Sequence, residues 1–223
     1  TVLTSGGRSD AFLAKYDSNG NIKWAVNAGG KNATEDAEAY AIAIDRYDHI
    51  YLTGKFGGAS VFSSDTLISR GGSDIFISKY DTSGVFQWVQ QAGGIGTDIG
   101  QGIKTDESGS VVVSGYFSSS AVFDQDTLAS KGNWDLFVTK CDAQGNFIWA
   151  TGAGGASYEE GAGIAVDKNR NIYVTGYFAD SAAFGTQLIT TYGLRDAYLA
   201  ALDSNGNFKW VTQAGGPVND ANN

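Results

Sequence analysis

The chain of 223 residues has almost none of the residue types from which common active sites and cross-links are built. It contains one cysteine, one histidine, one proline and no methionine. The single cysteine, Cys141, excludes a disulfide within the chain, and we expect it to be a buried thiol in place of an apolar residue. The single histidine, His49, has no second histidine or nearby cysteine beside it, so we predict no zinc site and no Ser-His-Asp triad.

Positive charge is also scarce. The sequence has 15 lysines and arginines against 24 acidic residues, which gives a net charge of -9 and a pI near 4.4. A nucleic-acid partner would need a basic stripe, so the composition argues against one. No apolar run approaches the ~18 residues of a membrane helix, so we predict no direct membrane insertion. We predict no cofactor and no bound metal either.

Glycine, by contrast, is abundant, with 31 residues, and the sequence repeats itself. Residues 39–94 recur as 100–155 and 161–216, and the second half of this unit also stands alone at 3–30. The tryptophans mark the period, because Trp24, Trp88, Trp149 and Trp210 are 64, 61 and 61 residues apart. A period of this length indicates one supersecondary unit per repeat.

Each full unit contains four short segments with the alternation typical of β-strands. In the first full unit, strand A begins at Ala39, strand B covers residues 49–56, and strands C and D flank the turn at 81–84. The segment at 57–73 is expected to be a long B–C connection. Four antiparallel strands per 61 residues, with no helical period, predict the blades of an all-β propeller. Strand A, rich in alanine and glycine, is then the innermost strand, and the tryptophans fill the space between blades.

These boundaries predict three complete blades and one isolated C–D hairpin, or fourteen strands in total. Three and a half blades do not close a ring, which needs about four to eight. The sequence is therefore interpreted as part of a larger propeller. The predicted units are a C–D hairpin at 1–30, blades at 31–94, 95–155 and 156–216, and the start of a further blade at 217–223.

The recurring pattern AIAID...IYLTG...DAFLAKYD...GNIKW...AGG resembles the SBBP family, the bacterial beta-propeller repeat. The resemblance implies blades of a propeller that is usually seven-bladed. It also implies secretion or display at the cell surface, associated with the outer membrane, and no defined activity. The strand B endings at Phe56 and Phe178 depart from the common family pattern and are similar to those of long surface proteins of Bacteroidota.

Residues present in every copy are explained by the blade, so a specific site should appear as a departure from the repeat. The aspartates that open strand C (Asp10, Asp74, Asp135, Asp196) and the A–B turns (Asp45, Asp106, Asp167) recur and are predicted to cap turns. Two departures stand out. Trp134 replaces Ser9, Ser73 and Arg195, and is expected either to present a stacking surface or to pack under its own loop. Lys104 replaces two alanines on strand A and is expected either to reach a central channel or to be simply solvated.

The D–A connections supply the other candidate ligand-binding residues, which are all carboxylates: Asp36, Glu38, Asp98, Glu159 and Glu160. They are expected on the face where propellers bind ligands, although a simply solvated acidic loop is the alternative. Thr66 and Thr127 follow aspartate and precede leucine, which resembles the O-glycosylation acceptor of Bacteroidota and is equally compatible with blade geometry.

The leading functional hypothesis is a non-enzymatic propeller module of a longer secreted or surface protein, acting as a scaffold or as an adhesion or ligand-binding unit. Its expected partners are a protein or carbohydrate at the cell surface and the remaining blades of the same polypeptide. The alternative is a polysaccharide-acting glycosidase or lyase, for which two carboxylates must lie about 5 to 9 Å apart in a cleft.

Overall fold

The computed structural model describes residues 2–217, and in this range it consists of β-strands joined by turns, with no helix. The all-β prediction is therefore confirmed, and within the described residues no segment could cross a membrane as a helix. The predicted further blade at 217–223 lies, apart from Pro217, outside the described residues. The strands are β1 (Asp10–Tyr16), β2 (Ile22–Gly30), β3 (Asp36–Ile44), β4 (Ile50–Gly57), β5 (Ala59–Phe62), β6 (Asp65–Ile68), β7 (Asp74–Tyr80), β8 (Phe86–Ala92), β9 (Ile99–Thr105), β10 (Val111–Phe117), β11 (Ser120–Phe123), β12 (Asp126–Ala129), β13 (Asp135–Cys141), β14 (Phe147–Gly155), β15 (Gly163–Val166), β16 (Ile172–Phe178), β17 (Ser181–Phe184), β18 (Gln187–Thr190), β19 (Asp196–Leu202) and β20 (Phe208–Ala214).

Strands A to D form the antiparallel meander expected for a propeller blade. The order β3-β4-β7-β8 makes one four-stranded sheet, and β15-β16-β19-β20 makes another. In the repeat between them, β9, β10, β13 and β14 pair in the same order. The hairpin β1–β2 supplies strands C and D of one more sheet. The three A strands, β3, β9 and β15, lie next to one another, which agrees with the small residues expected for the innermost strand.

The B–C connections are not loops, and this part of the prediction is wrong. Each contains a two-stranded hairpin, β5–β6, β11–β12 or β17–β18, so residues 2–217 hold twenty strands rather than fourteen. Each hairpin adds to strand D of the preceding repeat: Gly29 pairs with Val61, Gly93 with Val122 and Gly154 with Ala183. A hairpin of one repeat thus completes the sheet of the repeat before it and holds the two together.

The Ala-Gly-Gly motif at the end of strand D is explained by this pairing. A Cβ at Gly94 would lie 1.9 Å from the carbonyl oxygen of Ser120 in the added hairpin, and one at Gly154 would lie 2.4 Å from the carboxyl carbon of Asp135. The first glycine therefore leaves room for the recurring aspartate, and the second lets the hairpin backbone approach closely. A side chain at either glycine would therefore prevent the close approach of the aspartate or of the added hairpin.

The tryptophans connect neighbouring sheets, as expected. The Trp88 indole Nε1 donates a hydrogen bond to the carbonyl of Ala143 at 3.2 Å, in the C–D turn of the next repeat. Its ring packs against Gly145 of the same turn, where a Cβ would lie 3.0 Å from the indole. Trp24 and Trp149 make the same two contacts. The repeated tryptophan therefore fixes the position of each sheet on the next.

The recurring aspartates have the structural role that was predicted for them. In the A–B turn, the Asp45 carboxylate accepts hydrogen bonds from the backbone N–H groups of Tyr47 and His49 at 2.8 and 3.0 Å. At the start of strand C, Asp135 accepts one from the N–H of Lys131 at 3.0 Å.

Cys141 is fully buried, and this burial raises the pKa of its thiol. The prediction of a buried thiol in place of an apolar residue is therefore confirmed.

Candidate functional site

The inner strands carry an irregularity at the same place in successive repeats. In β3, Ala39 and Ala41 pair with the adjacent residues Gly54 and Thr53, which leaves Tyr40 as an extra residue in a β-bulge. In β9, Gln101 is the equivalent extra residue, between Gly100 and Gly102. A β-bulge re-aims the side chain of its extra residue and is common next to binding sites. Two neighbouring inner strands therefore turn a polar side chain out of the regular ladder.

The glycine of the Thr-Gly and Ser-Gly pairs in strand B makes this bulge possible. A Cβ at Gly115 would lie 1.9 Å from the carbonyl oxygen of Ile99, two residues before the bulged Gln101. At Gly54 and Gly176 the same distance, to the carbonyls of Glu38 and Glu160, is 1.8 Å. Only glycine leaves room for the inner strand to approach in this way. The glycine is thus kept in all three repeats, and in β3 and β9 it accompanies the bulge.

The bulged residues line an open cavity of about 400 Å³, which we call the inner-strand cleft. Tyr40, Gln101 and Ala162 contribute the same position from three repeats, and Ile99 and Tyr116 complete the lining. Tyr40 is 47% exposed, whereas Tyr116 is buried, so the cleft has one accessible aromatic ring and one at its base. Burial and the nearby Glu160 carboxylate raise the pKa of Tyr116 to about 12, so its hydroxyl stays protonated.

Two glutamates at equivalent positions contact this lining, one on each side. The Tyr40 hydroxyl donates to Glu38 Oε2 at 2.5 Å, and Lys55 Nζ lies 3.6 Å from the same oxygen. The hydrogen bond from Tyr40 and the charge of Lys55 lower the pKa of Glu38. Glu160 accepts hydrogen bonds from the Tyr177 hydroxyl at 2.5 Å and from Gln101 Nε2 at 3.1 Å.

Asp98 and Glu159 are fully buried, so the expectation that all the D–A carboxylates form an accessible acidic surface is wrong for these two. Asp98 accepts hydrogen bonds from the N–H groups of Gly94 and Ser118 at 2.7 and 3.2 Å. Glu159 accepts one from the N–H of Gly155 at 2.8 Å. Burial raises the pKa of Asp98 to about 7 and that of Glu159 to about 8. Both side chains hold turns together and do not face the cleft.

The remaining sequence candidates take different places around the cleft. Asp36 is half-buried, and its Oδ2 lies 3.9 Å from Lys55 Nζ, at the outer side of Glu38. Lys104 is exposed on β9 and is not among the residues that line the cleft. Thr66 and Thr127 are exposed on the outer hairpins, and their glycosylation stays a prediction. Within residues 2–217 no cluster of histidine, cysteine and acidic side chains could hold a metal ion.

Trp134 is half-buried in an aromatic group beside the cleft, and its ring partners lie on β10 and in the next D–A connection rather than in its own loop. Its ring stacks on Tyr116 with centroids 4.7 Å apart and meets Tyr158 edge to face at 5.1 Å. The Arg195 guanidinium lies over the rings of Tyr158 and Tyr177, at 5.6 and 4.6 Å from their centroids. The tryptophan therefore supports the base of the cleft through Tyr116.

Sequence reasoning missed Tyr40, Gln101, Tyr116, Tyr177 and Arg195. A usable signal was present, because the residues at these positions vary from repeat to repeat while the glycines and aspartates around them recur. At the strand B position the three repeats have Lys55, Tyr116 and Tyr177. Positions that vary while the glycines and aspartates around them recur are not required by the repeat structure, so they indicate a surface that can be adapted to a ligand.

Comparison with known proteins adds the family. Residues 148–177 match the family model SBBP, described as a beta-propeller repeat. This stretch of the chain is an SBBP beta-propeller repeat match. The match covers the end of one repeat and strands A and B of the next, including the Gly176 position that admits the Glu160 carbonyl. The recognition made from the repeated motif is confirmed for this stretch, and an origin in Bacteroidota stays a prediction.

Two longer proteins resemble this chain. One is the "Uncharacterized WD repeat-containing protein L264" of Acanthamoeba polyphaga mimivirus, 27% identical over 199 residues, or 76% of this chain and 14% of that protein. The other is the "Regulatory protein FlaEY" of Caulobacter vibrioides, 30% identical over 142 residues, or 62% of this chain and 15% of that protein. The matched region is thus a small part of either relative.

One solved structure overlaps almost the whole chain. It is the crystal structure of a protein of unknown function from Bacteroides caccae, and the overlap covers 92% of this chain and 94% of that one. The TM-score is 0.30 and the identity is 9%. Values this low lend no support to a shared fold, so the propeller assignment rests on the repeats and the sheets.

Proposed function

We propose that the chain is a non-enzymatic SBBP propeller module of a longer secreted or surface protein, and that its inner-strand cleft binds a basic side chain of a partner protein. The observation that carries this proposal is the state of Glu160. Its carboxylate is fixed by two neutral donors, Tyr177 and Gln101, and none of the ion pairs in the described part of the chain involves it. A fixed anion beside tyrosine rings suits a cation.

The surroundings favour the same ligand. The Arg195 guanidinium lies over tyrosine rings rather than against Glu160, and Lys55 is paired with Glu38 on the other side of the cleft. A net charge of -9 attracts a basic partner over a distance. The cleft, at about 400 Å³, has room for a lysine or arginine side chain. The resemblance to a WD repeat-containing protein supports an interaction module in general.

The proposal includes the absence of catalytic activity, and the pKa values and burial of the carboxyl groups support this part. A glycosidase needs a protonated carboxylic acid that reaches the substrate. Within the described residues, the pKa is raised for four carboxyls, and all four are buried: Asp74, Asp98, Asp135 and Glu159. The accessible Glu38 has a lowered pKa. The carboxylates beside the cleft are therefore suited to binding a ligand through its hydrogen-bond donors.

The test uses Nα-acetyl-arginine amide as the probe and its neutral isostere Nα-acetyl-citrulline amide as the control ligand, with binding followed by NMR at the Gln101 side-chain amide. We expect saturable binding of the arginine probe that weakens roughly tenfold in Glu160→Gln, a loss of about 1.4 kcal/mol. Glu107→Gln, an exposed glutamate in an A–B turn, is the matched control variant and should bind normally. Equal binding of both probes, or full binding by Glu160→Gln, would contradict the proposal.

A further inference from the structure

An open cavity of about 270 Å³ lies at the junction between the sheet of residues 31–94 and the repeat that follows it. We call it the junction groove. Its polar lining comes from both sides of the junction, with three residues from the first repeat and two from the second: Arg70, Gln90, Gln91, Asp124 and Asn146. Gly145 and Phe147 complete it. Both repeats are flanked by further strands of the chain, so the groove is an internal feature of the fold.

The two walls of the junction groove are fixed relative to each other. Gly93 and Val122 exchange two backbone hydrogen bonds across the junction, 3.1 and 3.0 Å long. The Trp88 indole, which donates to the Ala143 carbonyl at 3.2 Å, packs against Gly145 of the groove lining. A site whose walls are already in place loses little conformational entropy when a ligand binds, and this favours affinity.

Three of the polar side chains are held by hydrogen bonds that leave other atoms unused. Arg70 Nη1 donates to a backbone carbonyl at 3.1 Å, and Gln91 Nε2 donates to another at 2.8 Å. Asn146 Nδ2 donates to Asp142 Oδ2 at 2.8 Å. The other N–H groups of the arginine and the two amide oxygens are left for a ligand. Gln90 adds a whole amide, because its side chain makes no hydrogen bond within residues 2–217.

The polar lining is specific to this junction. The counterparts at the junctions before and after it are Val26 and Thr151 for Gln90, Ser63 and Gly185 for Asp124, and Gly6 and Lys131 for Arg70. The repeat structure does not require these differences, since the tryptophan contact joins the sheets in the same way at all three junctions. Side chains that depart from the repeat and meet in one cavity indicate a site for a ligand.

The charges of the junction groove favour an uncharged ligand. It contains one cation, Arg70, and one anion, Asp124, and neither forms an ion pair within residues 2–217. The two charges cancel, and the net charge of -9 on the chain disfavours an anionic ligand. The groups left for a ligand include both donors and acceptors. Because a hydroxyl group both donates and accepts, a ligand with several hydroxyls satisfies both kinds.

We propose that the junction groove binds one neutral pyranose ring of a carbohydrate. Its volume of about 270 Å³ lies just below the roughly 300 to 1,000 Å³ of pockets for drug-sized ligands, so it suits a single ring. A pyranose has hydroxyls around its rim and C–H bonds on its faces. The rim meets Arg70, Gln90 and Asp124, and one face packs against the half-buried ring of Phe147. The groove shares no lining residue with the inner-strand cleft.

The test is an NMR titration of the side-chain amides of Gln90 and Asn146 with methyl β-D-glucopyranoside, methyl β-D-galactopyranoside and methyl α-D-mannopyranoside. We expect a saturable shift of both amides with at least one of these glycosides. Sorbitol, which has hydroxyls but no ring, should give no saturable shift, because it loses more conformational freedom on binding. Gln90→Val and, separately, Asp124→Ser should weaken binding by about tenfold, the loss expected for one or two hydrogen bonds. Each introduces the residue of the preceding repeat, Val26 or Ser63.

Gln144→Ser is the matched control variant and should bind normally. It changes an exposed glutamine of the same C–D turn, outside the groove lining, to the residue that the preceding repeat has at Ser83. Thermal melting of each variant establishes that it is folded before binding is measured. The absence of a saturable shift with all three glycosides would overturn the proposal. An equal response to sorbitol, or full binding by folded Gln90→Val and Asp124→Ser, would do so too. Since these variants leave the inner-strand cleft unchanged, the outcome is independent of ligand binding there.

Discussion

Replacing Glu159 by glutamine tests how the buried carboxyls of the D–A turns contribute to stability. Burial and the nearby Asp135 raise the pKa of Glu159 from an ordinary value of 4.5 to about 8, so the folded protein holds its proton over a range in which the unfolded chain releases it. This proton linkage lowers the free energy of unfolding as the pH rises from 4.5 towards 8, and leaves it unaffected below that window.

The size of the effect follows from the shift. Each pKa unit corresponds to 1.36 kcal/mol, so the complete titration costs roughly 5 kcal/mol as an upper value. In Glu159→Gln the amide oxygen can still accept the hydrogen bond from the Gly155 N–H. The amide nitrogen then takes the place of Oε1, which has no hydrogen-bond partner to lose. The substitution should therefore remove the pH-dependent cost while keeping the turn.

Urea unfolding at pH 5, 7 and 9 measures this difference. We expect Glu159→Gln to be close to the unmodified protein at pH 5 and more stable by several kcal/mol at pH 9, on the order of the cost derived above. Asp98, which lies in the D–A turn of another repeat, titrates in both proteins and cancels in the comparison. Glu107→Gln is the exposed control and should show no such trend. A stability difference that is the same at all three pH values would refute the reasoning.

Three further outcomes follow from the packing. Trp88→Phe removes the hydrogen bond to the Ala143 carbonyl and should lower the free energy of unfolding by about 1 kcal/mol, as measured by urea titration. Gly115→Ala places a Cβ 1.9 Å from the Ile99 carbonyl oxygen. It should destabilise the protein by about 3 kcal/mol or more and lower the melting temperature accordingly. Cys141 should resist a thiol reagent in the native protein and react fully in urea, because its thiol is buried.

The A-to-D meander could be predicted because its signals are strong and repeated. The alternation in strands C and D, the Asp-x-x-Gly turns and the tryptophan period each occur four times. The added hairpins gave no such signal, since β5 and β6 have four residues each and β6 is largely exposed. The tight turn between β5 and β6 also lacks the Asn-Gly pair that usually marks a hairpin. A serine, Ser63, adopts the positive φ there, at 56°.

The burial of Asp98 and Glu159 was hidden by an insertion. At their position the first full repeat has Ala37, which is fully buried, and an alanine there indicates an interior position. The D–A connection of that repeat is three residues longer. In it, Glu35 takes over the role of Asp98 and Glu159 and accepts a hydrogen bond from the N–H of Lys31 at 2.7 Å. The acidic residues of the D–A connections therefore include both buried side chains that hold a turn and accessible ones, and their position in the sequence alone does not separate the two kinds.

The same comparison separates the frame of the blade from the surface that serves a ligand. Every repeat keeps the glycine that admits an inner-strand carbonyl, although a glycine in a strand weakens it, so the bulge is maintained at a cost. The side chains at this inner-strand position differ completely, with Tyr40, Gln101 and Ala162 in the three repeats, and Tyr40 and Gln101 are the extra residues of a bulge. A backbone feature that is kept while the residues it displays change has the organisation of a recognition surface. Substitutions at these three positions should therefore alter binding in the inner-strand cleft with little effect on stability.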